Sequence, residues 1–159
     1  MFKLRIRKGC LEDLKEMQSL FVHTIRSVCI HDYNPQQIEV WSSSVQNKER
    51  WIQKIQSQYL LIGEMDSKMV GFASLKGIDY FDLLYVHADY QSMGIAGALA
   101  DLIEEEARNR GSKTIYAHVS KTAFRFFSKR NYQLILENHF FINEVAISNF
   151  KLTKELIFN

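Results

Sequence analysis

Residues 86–97, Val-His-Ala-Asp-Tyr-Gln-Ser-Met-Gly-Ile-Ala-Gly, have the composition of an anion-binding turn. An apolar run that favours a β-strand leads into the turn at Gly94, and an amphipathic helix begins directly after it. The first amides of a helix have no intrahelical partners and lie at the positive end of the helix dipole, where phosphate groups bind well. The segment therefore predicts a phosphate or pyrophosphate site.

The elements that must position this turn alternate between strand and helix periodicity. Phe2, Leu4 and Ile6 alternate with basic residues and predict a first strand. Helical spacing follows over 11–28, and Asn34-Pro35 opens a second helical zone that extends, with a polar break at 42–44, to Ile55. We further expect strands at 59–64, 69–75, 81–86 and 114–119, helices at 95–110 and 120–130, and terminal strands at 132–136 and 147–156. The outer face of the helix at 95–110 is expected to hold Glu104, Glu105, Arg108 and Arg110. The fold class is α/β, a mixed sheet flanked by helices.

Composition limits the kinds of partner. A chain of 159 residues suits a single domain, and 20 Lys+Arg against 18 Asp+Glu, scattered along the chain, do not favour nucleic acid. Cys10 and Cys29 have neither disulfide nor metal-ligand spacing, so we expect no metal. Without an export signal or an 18-residue apolar run, the sequence predicts a cytoplasmic protein with no membrane partner.

Three segments resemble the GNAT N-acetyltransferase superfamily. Gln91-x-x-Gly94-x-Ala96 is similar to its acyl-CoA pyrophosphate loop, written Gln/Arg-x-x-Gly-x-Gly/Ala. Residues 120–132 resemble its second cofactor segment, and residues 33–41 with Arg50-Trp51 resemble a bacterial subgroup of acetyltransferases. The order of elements is similar from end to end. The resemblance implies one GNAT domain over 1–159, with a twisted, mostly antiparallel central sheet and helices on both faces.

The resemblance also implies acetyl-CoA as cosubstrate. The strand before the loop would splay from its neighbour, leaving a gap that the pantetheine arm fills. The implied cofactor-binding residues are Leu84, Tyr85, Val86, Gln91, Ser92, Met93, Gly94, Ile95, Ala96, Gly97, Ser120, Ala123, Phe126, Phe127 and Lys129. Three residues depart from the family pattern: Ser120 replaces Asn, Phe127 replaces a tyrosine that protonates the leaving thiolate, and Asn131 replaces Gly.

Acetyl transfer to an amine needs a neutral nucleophile, and a lysine-like amine is neutral in only about one part in a few thousand at pH 7. Asp82 matches the position of a family glutamate base and is the candidate general base, above all if burial raises its pKa. Strand alternation places Asp82 on the face of Leu84 and Val86, although a bulge would re-aim it. Asp79, Tyr80 and His118 are weaker alternatives. Tyr85 and Tyr132 are candidates to replace the missing acid.

The acceptor pocket should be lined by the first two helices and their connection, with His31, Tyr33, Gln37 and Trp41 as candidates. We therefore predict an acetyl-CoA-dependent N-acetyltransferase acting on a primary amine by direct attack in a ternary complex, since both cysteines are expected outside the cleft. One alternative is a non-catalytic acyl-CoA-binding sensor. Another is an interaction domain that uses the aromatic patch at Phe140 and Phe141. The acceptor's identity stays open, and a homodimer is compatible with the resemblance.

Overall fold

The secondary structure follows the periodicity of the sequence. The computed structural model describes residues 3–157. Its helices are α1 (Leu14–Val28), α2 (Pro35–Ser43), α3 (Lys48–Ser57), α4 (Ile95–Asn109) and α5 (Phe124–Lys129). Its strands are β1 (Arg5–Lys8), β2 (Tyr59–Met65), β3 (Lys68–Lys76), β4 (Tyr80–Val86), β5 (Thr114–Val119), β6 (Gln133–Ile142) and β7 (Val145–Glu155).

Local sequence signals explain several boundaries of these elements. Asn34 accepts a hydrogen bond from the Gln37 amide and so caps α2, with Pro35 at its first position, as predicted. The helix predicted from Leu11 starts with a short 3-10 turn before α1. The first strand is observed only from Arg5, and Phe2 lies outside the described residues.

The strands form one mixed sheet in the order β1-β2-β3-β4-β5-β7-β6. Among residues 3–157, β4 and β5 make the one parallel pair, and every other neighbouring pair is antiparallel. Helices α4 and α5 pack on one face, while α1, α2 and α3 pack on the other. The predicted fold class, a mostly antiparallel sheet with helices on both faces, is confirmed.

Helix α4 lies very close to the sheet because β3 carries a glycine beneath it. A Cβ at Gly71 would lie 3.1 Å from the carbonyl oxygen of Tyr85 and 3.2 Å from the Ile95 side chain. Ile95, Leu99 and Ile103 are almost fully buried in this contact. The close packing fixes the start of α4 directly beside the end of β4.

Two expectations about the periphery were wrong. The terminal strands are longer than predicted: β6 continues through Phe140 to Ile142 and forms a long hairpin with β7. Glu104, expected on the outer face of α4, is only 2% exposed. Its carboxylate accepts hydrogen bonds from Arg130 at 2.9 Å, Lys154 at 2.6 Å and the Tyr132 hydroxyl at 3.1 Å, which compensate for its burial.

Candidate active site

A deep cleft opens where β4 and β5 part. The two strands pair only at Tyr80 with Tyr116 and Phe81 with Ala117, and they then diverge. The resulting cleft has a volume of about 620 Å³. It runs from the turn before α4, along β4, to the α1–α2 connection and the β6–β7 hairpin. The expected splay is therefore present in the structure.

The end of β4 turns backbone groups into this gap. The His87 amide donates to the Val70 carbonyl on the β3 side, so strand alternation directs the polar groups of Val86 and Leu84 toward β5. Beyond Phe81, β5 no longer pairs with β4. The Val86 carbonyl instead accepts from Thr24 Oγ1 at 3.0 Å and Gln91 Nε2 at 2.8 Å. Leu84, Tyr85 and Val86 all line the cleft, as predicted.

The turn before α4 presents a row of amides to the same cleft. Gly94 has a φ of +80° and a Cβ there would meet no protein atom within 4 Å, so glycine is needed for the left-handed backbone. The Ala98 amide is the first to bond within the helix, to the Gly94 carbonyl. The amides of Ile95, Ala96 and Gly97 precede that bond. Gln91, Ser92 and residues 94–97 line the cleft, whereas the side chain of Met93 is 51% exposed outside it.

The loop into α5 forms the opposite wall. Ser120, Ala123, Phe126 and Phe127 line the cleft, while Lys129 lies on the exposed end of the helix and does not line it, contrary to expectation. The Ser120 hydroxyl accepts from the Ala123 amide at 3.1 Å and stabilises the turn before the helix. Phe127 is buried, with its ring 5.4 Å from that of Phe81.

Asp82 lies in the cleft, but on the face opposite to the one expected from alternation. Ser74 pairs with Leu83 and Leu75 with Phe81, so Asp82 is the extra residue of a β-bulge. Its carboxylate accepts from Lys54 Nζ at 2.8 Å and Gln58 Nε2 at 2.7 Å, both from the α3 side. The bulge therefore turns the side chain away from the face of Leu84 and Val86.

The same contacts set the protonation of Asp82. Burial raises the pKa of this carboxyl, but hydrogen bonds from Lys54 and Gln58 and the Lys54 charge outweigh burial, and the pKa falls below its ordinary value. The expectation that burial would raise this pKa toward neutrality is wrong. Asp82 is an ionised carboxylate throughout the neutral range.

The two tyrosines proposed as acids differ in position. Tyr85 lines the cleft, and burial raises its pKa well above the ordinary value, so it retains its proton. Tyr132 is 3% exposed in the core, does not line the cleft, and donates its hydroxyl proton to Glu104. The position of Tyr132 contradicts its prediction as a proton donor in the cleft, and Tyr85 stays as the one candidate of the two.

His118, one of the weaker alternatives for the base, is a further titratable residue that lines the cleft. Burial and the Lys151 charge lower its pKa below the ordinary 6.5, so its imidazole is neutral at pH 7. Its Nδ1 lies 2.8 Å from Asn138 Nδ2. The other two weaker alternatives do not line the cleft: Tyr80 stacks on Tyr116 with ring centroids 4.8 Å apart, and the Asp79 carbonyl accepts from the Tyr116 amide.

Two of the four predicted acceptor residues line the cleft. Tyr33 and Trp41 do, with their ring centroids 5.3 Å apart. His31 is exposed and does not line it, and Gln37 donates instead to the Ala146 carbonyl at 3.0 Å. Gln37 faces the backbone of β7 because its other side-chain atom completes the cap of α2.

The sequence patterns did not predict several residues of the site. Cys29 lines the cleft, contrary to expectation, because the turn after α1 folds back over the sheet. Burial raises the pKa of its thiol. Phe140 and Ile142 also line the cleft, and the apolar patch around Phe140 was the one available signal. Lys54 is reached only through tertiary packing, so no local pattern identifies it.

The fold and the cleft together define an acetyl-transferring class of protein. The family model described as an acetyltransferase (GNAT) domain matches residues 29–154, and the chain belongs to this family. It is 32% identical to the GCN5-related N-acetyltransferase of Rhodopseudomonas palustris, whose structure superposes with a TM-score of 0.93 over 98% of each chain. It is 25% identical to the uncharacterized N-acetyltransferase YafP of Escherichia coli (strain K12), over 94% of this chain and 95% of that protein.

A further structural neighbour was solved with its ligand. The PaiA N-acetyltransferase of Thermoplasma acidophilum, in complex with coenzyme A, is 21% identical and has a TM-score of 0.79 over 96% of this chain and 99% of that one. At this identity the likeness concerns the fold. Between residues 3 and 157 there is no cluster of three or more His, Cys, Asp or Glu side chains suited to a metal ion, and no helix with the length and apolarity to cross a bilayer.

Proposed function

We propose that this acetyltransferase moves the acetyl group of acetyl-CoA to a primary amine by direct attack in a ternary complex. The observation that carries the proposal is the gap between β4 and β5, which joins the amides before α4 to Asp82 and Tyr85 in one cleft. A cleft of this form can hold an extended thioester with its reacting carbon near a carboxylate. The PaiA protein, which has this fold, was solved with coenzyme A.

The backbone supplies most of the proposed cofactor contacts. The polar groups of Leu84 and the amide of Val86 would pair with the pantetheine arm, as an added strand does, since the Val86 carbonyl already accepts from Thr24 and Gln91. The amides at residues 91–97 would hold the pyrophosphate at the positive end of the α4 dipole. Backbone donors need no basic side chain to bind an anion. This agrees with the absence of Lys and Arg from the described cleft lining.

The proposed reaction breaks one bond and forms another at the thioester carbon. The neutral amine attacks the carbonyl carbon, a C–N bond forms, and the C–S bond breaks to release CoA as a thiolate. Tyr85 is the proposed hydrogen-bond donor to this sulfur, since the residue lines the cleft and its phenol keeps its proton. Phe127 cannot donate. A thiolate with an ordinary pKa near 8.5 still leaves readily.

Asp82 is the proposed acceptor of the proton from nitrogen. Once the nitrogen has bonded to the carbonyl carbon it becomes far more acidic, so even a carboxylate of low pKa can take its proton. Lys54 and Gln58 hold that carboxylate in one position. The neutral imidazole of His118 is the competing acceptor.

Direct attack is favoured over a covalent enzyme intermediate by the state of Cys29. A thiol is nucleophilic as the thiolate, and burial raises the Cys29 pKa, so the side chain stays protonated at neutral pH. A Cys29→Ala variant that keeps its turnover would agree with this. An acetylated Cys29 trapped in the absence of acceptor would contradict it.

The test is release of CoA thiol from acetyl-CoA across a panel of primary amines, with calorimetry of acetyl-CoA binding in parallel. We expect tight binding and amine-dependent release. Binding without transfer to any amine would favour the acyl-CoA sensor, an alternative that Phe127 motivates because it removes the usual acid. The interaction domain is not supported, since Phe140 lines the cleft. The cytoplasmic location and the homodimer stay predictions.

A further inference from the structure

The acceptor half of the cleft is the part contributed by the α1–α2 connection and the β6–β7 hairpin. Ser148 and Asn149 of the hairpin line it, and its apolar walls are half aromatic and half aliphatic. They are formed by Val28, Tyr33, Trp41, Phe140, Ile142 and Ile147. A surface of this kind gains free energy by covering an apolar body, at roughly 25 cal/mol per Å² removed from water.

The charges in the cleft are of one sign. Asp82 is the one carboxylate among the described lining residues, and no Lys or Arg lines the cleft. The ammonium of Lys54 is already bonded to Asp82 at 2.8 Å. Among the lining residues a carboxylate or phosphate on the acceptor would therefore meet no unpaired cation, and burying a charge without a counter-ion costs several kcal/mol. An ammonium would meet Asp82 and the faces of aromatic rings instead.

The Tyr33 ring is held in place by contacts that occupy its hydroxyl, and the Lys121 ammonium lies over the same ring, 5.4 Å from its centroid. The Tyr33 hydroxyl donates to the Ser148 carbonyl at 3.0 Å and accepts from the Lys121 amide at 2.9 Å. Both of its ordinary hydrogen-bonding roles are thus filled within the protein. Trp41 packs edgewise on the same ring. The acceptor is offered ring surface rather than a hydroxyl.

We infer that the acceptor is a primary amine carried on an aromatic body and free of carboxylate, the class to which 2-phenylethylamine belongs. This inference rests on the proposed acetyl transfer. The ring would lie against Trp41 and Phe140, which both line the cleft, and the nitrogen would point toward Asp82 and the thioester. The C–N bond forms as the thioester C–S bond breaks, one nitrogen proton passes to the cleft base, and CoA leaves as the thiolate, which takes up a proton from water.

Matched amines test the inference. Phenylalanine shares the skeleton of 2-phenylethylamine and adds a carboxylate, while ethylamine lacks the ring. We expect kcat/KM for 2-phenylethylamine to exceed that for phenylalanine by at least about 100-fold, because the cleft leaves the added charge unpaired. It should exceed that for ethylamine by at least about tenfold, because the ring contacts are lost.

Adjacent phenylalanines of β6 provide matched variants. Phe140 lines the cleft, whereas Phe141 is 74% exposed and points to the other face of the strand. Phe140→Ala should lower kcat/KM for 2-phenylethylamine about tenfold and change that for ethylamine little. Phe141→Ala should change neither. Urea unfolding of both variants identifies any loss that comes from stability.

Each outcome has one meaning. Transfer to phenylalanine as fast as to 2-phenylethylamine, or a Phe140→Ala variant equal to Phe141→Ala, would overturn the inference and leave the acetyl transfer standing. Acetyl-CoA binding with no thiol release for any amine would instead overturn the proposed function and this inference with it. Selective loss in Phe140→Ala, with the order of amines given above, supports the inference.

Discussion

Proton transfer in the cleft depends on which side chain takes the proton from the acceptor nitrogen. Asp82 and His118 both line the cleft, and each has a pKa below its ordinary value, 3.8 for the carboxyl and 6.5 for the imidazole. The two groups would therefore impose different pH dependences. Asp82 becomes protonated only below pH 3.8, whereas His118 is protonated as pH falls through a value below 6.5.

The expected pH profile follows from the Asp82 assignment. For an amine of pKa about 10, log(kcat/KM) should rise with a slope of about one from pH 5 to 9, because only deprotonation of the amine is titrated there. Asp82→Asn should lower kcat about 100-fold through loss of the base. The measurement is steady-state CoA release from pH 5 to 9.

His118→Gln is the control in that experiment. It should keep the slope of one and most of the turnover. A slope of about two below pH 6.5 that disappears in His118→Gln would transfer the base role to the imidazole, because two groups would then have to lose protons. Loss of stability in either variant is identified by its urea midpoint.

The anion site gives a second prediction at the residue scale. Gly94→Asp places a carboxylate beside the proposed pyrophosphate position, so we expect CoA affinity to fall at least about 100-fold by like-charge repulsion. The fold should survive, because a Cβ at this position meets no protein atom within 4 Å. The left-handed φ adds about 1–2 kcal/mol of strain. Calorimetry with CoA and a thermal melt measure the two effects separately.

Gly77→Asp is the matched control for this variant. Gly77 has a φ of +63° and the same open surroundings, but it lies in the turn between β3 and β4 and does not line the cleft. It carries the same strain with no expected loss of CoA affinity. Equal binding by Gly94→Asp and the unmodified chain would remove the phosphate site from the turn.

Residues of the site could be predicted from the sequence where backbone groups make the proposed contacts. The Gln91–Gly97 turn was found because a glycine between a strand and a helix is a local signal. A bulge that re-aims Asp82 was expected from the family resemblance and is observed, but its ion pair with Lys54 was not predicted, since that pair depends on how α3 packs against the sheet. Cys29 and Phe140 belong to the same group: their positions in the cleft follow from tertiary contacts.

At the scale of elements, the carboxylate of Glu104 ties α4 to the far side of the cleft. Arg130 follows α5, Lys154 belongs to β7, and Tyr132 precedes β6, and all three bond to this one buried side chain. A buried carboxylate that keeps its partners is tolerated, while breaking such a network leaves charges buried without compensation. The network therefore fixes one wall of the cleft relative to the other.

Glu104→Ala should lower the free energy of unfolding by about 3–5 kcal/mol, because two cations and a hydroxyl lose their common partner. Urea denaturation measures the change. Glu105→Ala is the control, since Glu105 is exposed on the same helix, and it should shift stability by no more than about 0.5 kcal/mol. Similar midpoints for the two variants would show that the network adds little.

Most elements could be predicted because their periodicity matches their burial. The exception is β6, where Leu134, Ile135 and Leu136 are all roughly half exposed and a bulge interrupts the register. An edge strand with two exposed faces has no alternation to detect. Glu104 was misplaced for a related reason, since helical periodicity cannot show that a charged position faces partners on other elements.

At the scale of the whole molecule, carboxylates of lowered pKa make the free energy of unfolding depend on pH in the acid range. The pKa of Asp13 is lowered by its hydrogen bonds with Arg7, and the pKa of Asp82 is lowered by its bonds to Lys54 and Gln58 despite burial. A folded-state pKa below the unfolded one stabilises the fold above the unfolded value. That stability is lost as pH falls through the folded pKa.

We therefore expect Tm to begin to fall below about pH 6.5, where the unfolded chain protonates His118 before the folded one does, and to fall more steeply below about pH 4, where the unfolded carboxylates take up protons first. Asp13→Asn should lower Tm at pH 7 by about 2–4 °C for each kcal/mol lost, and it should flatten the acid decline. Calorimetric melts at pH 3, 4, 5 and 7 measure both. An unchanged acid decline in Asp13→Asn would show that other groups cause it.

Because β4 and β5 part, the rates of hydrogen–deuterium exchange at β4 amides should report on the gap in the apoprotein. The Leu84 and Val86 amides face a neighbour that has moved away, so they should exchange with deuterium within the rapid phase although they sit in a central strand. The Tyr85 and His87 amides face β3 and should exchange slowly. Adding CoA without any acceptor should protect Leu84 and Val86 selectively. Protection of these two amides would then detect bound CoA without any measurement of turnover.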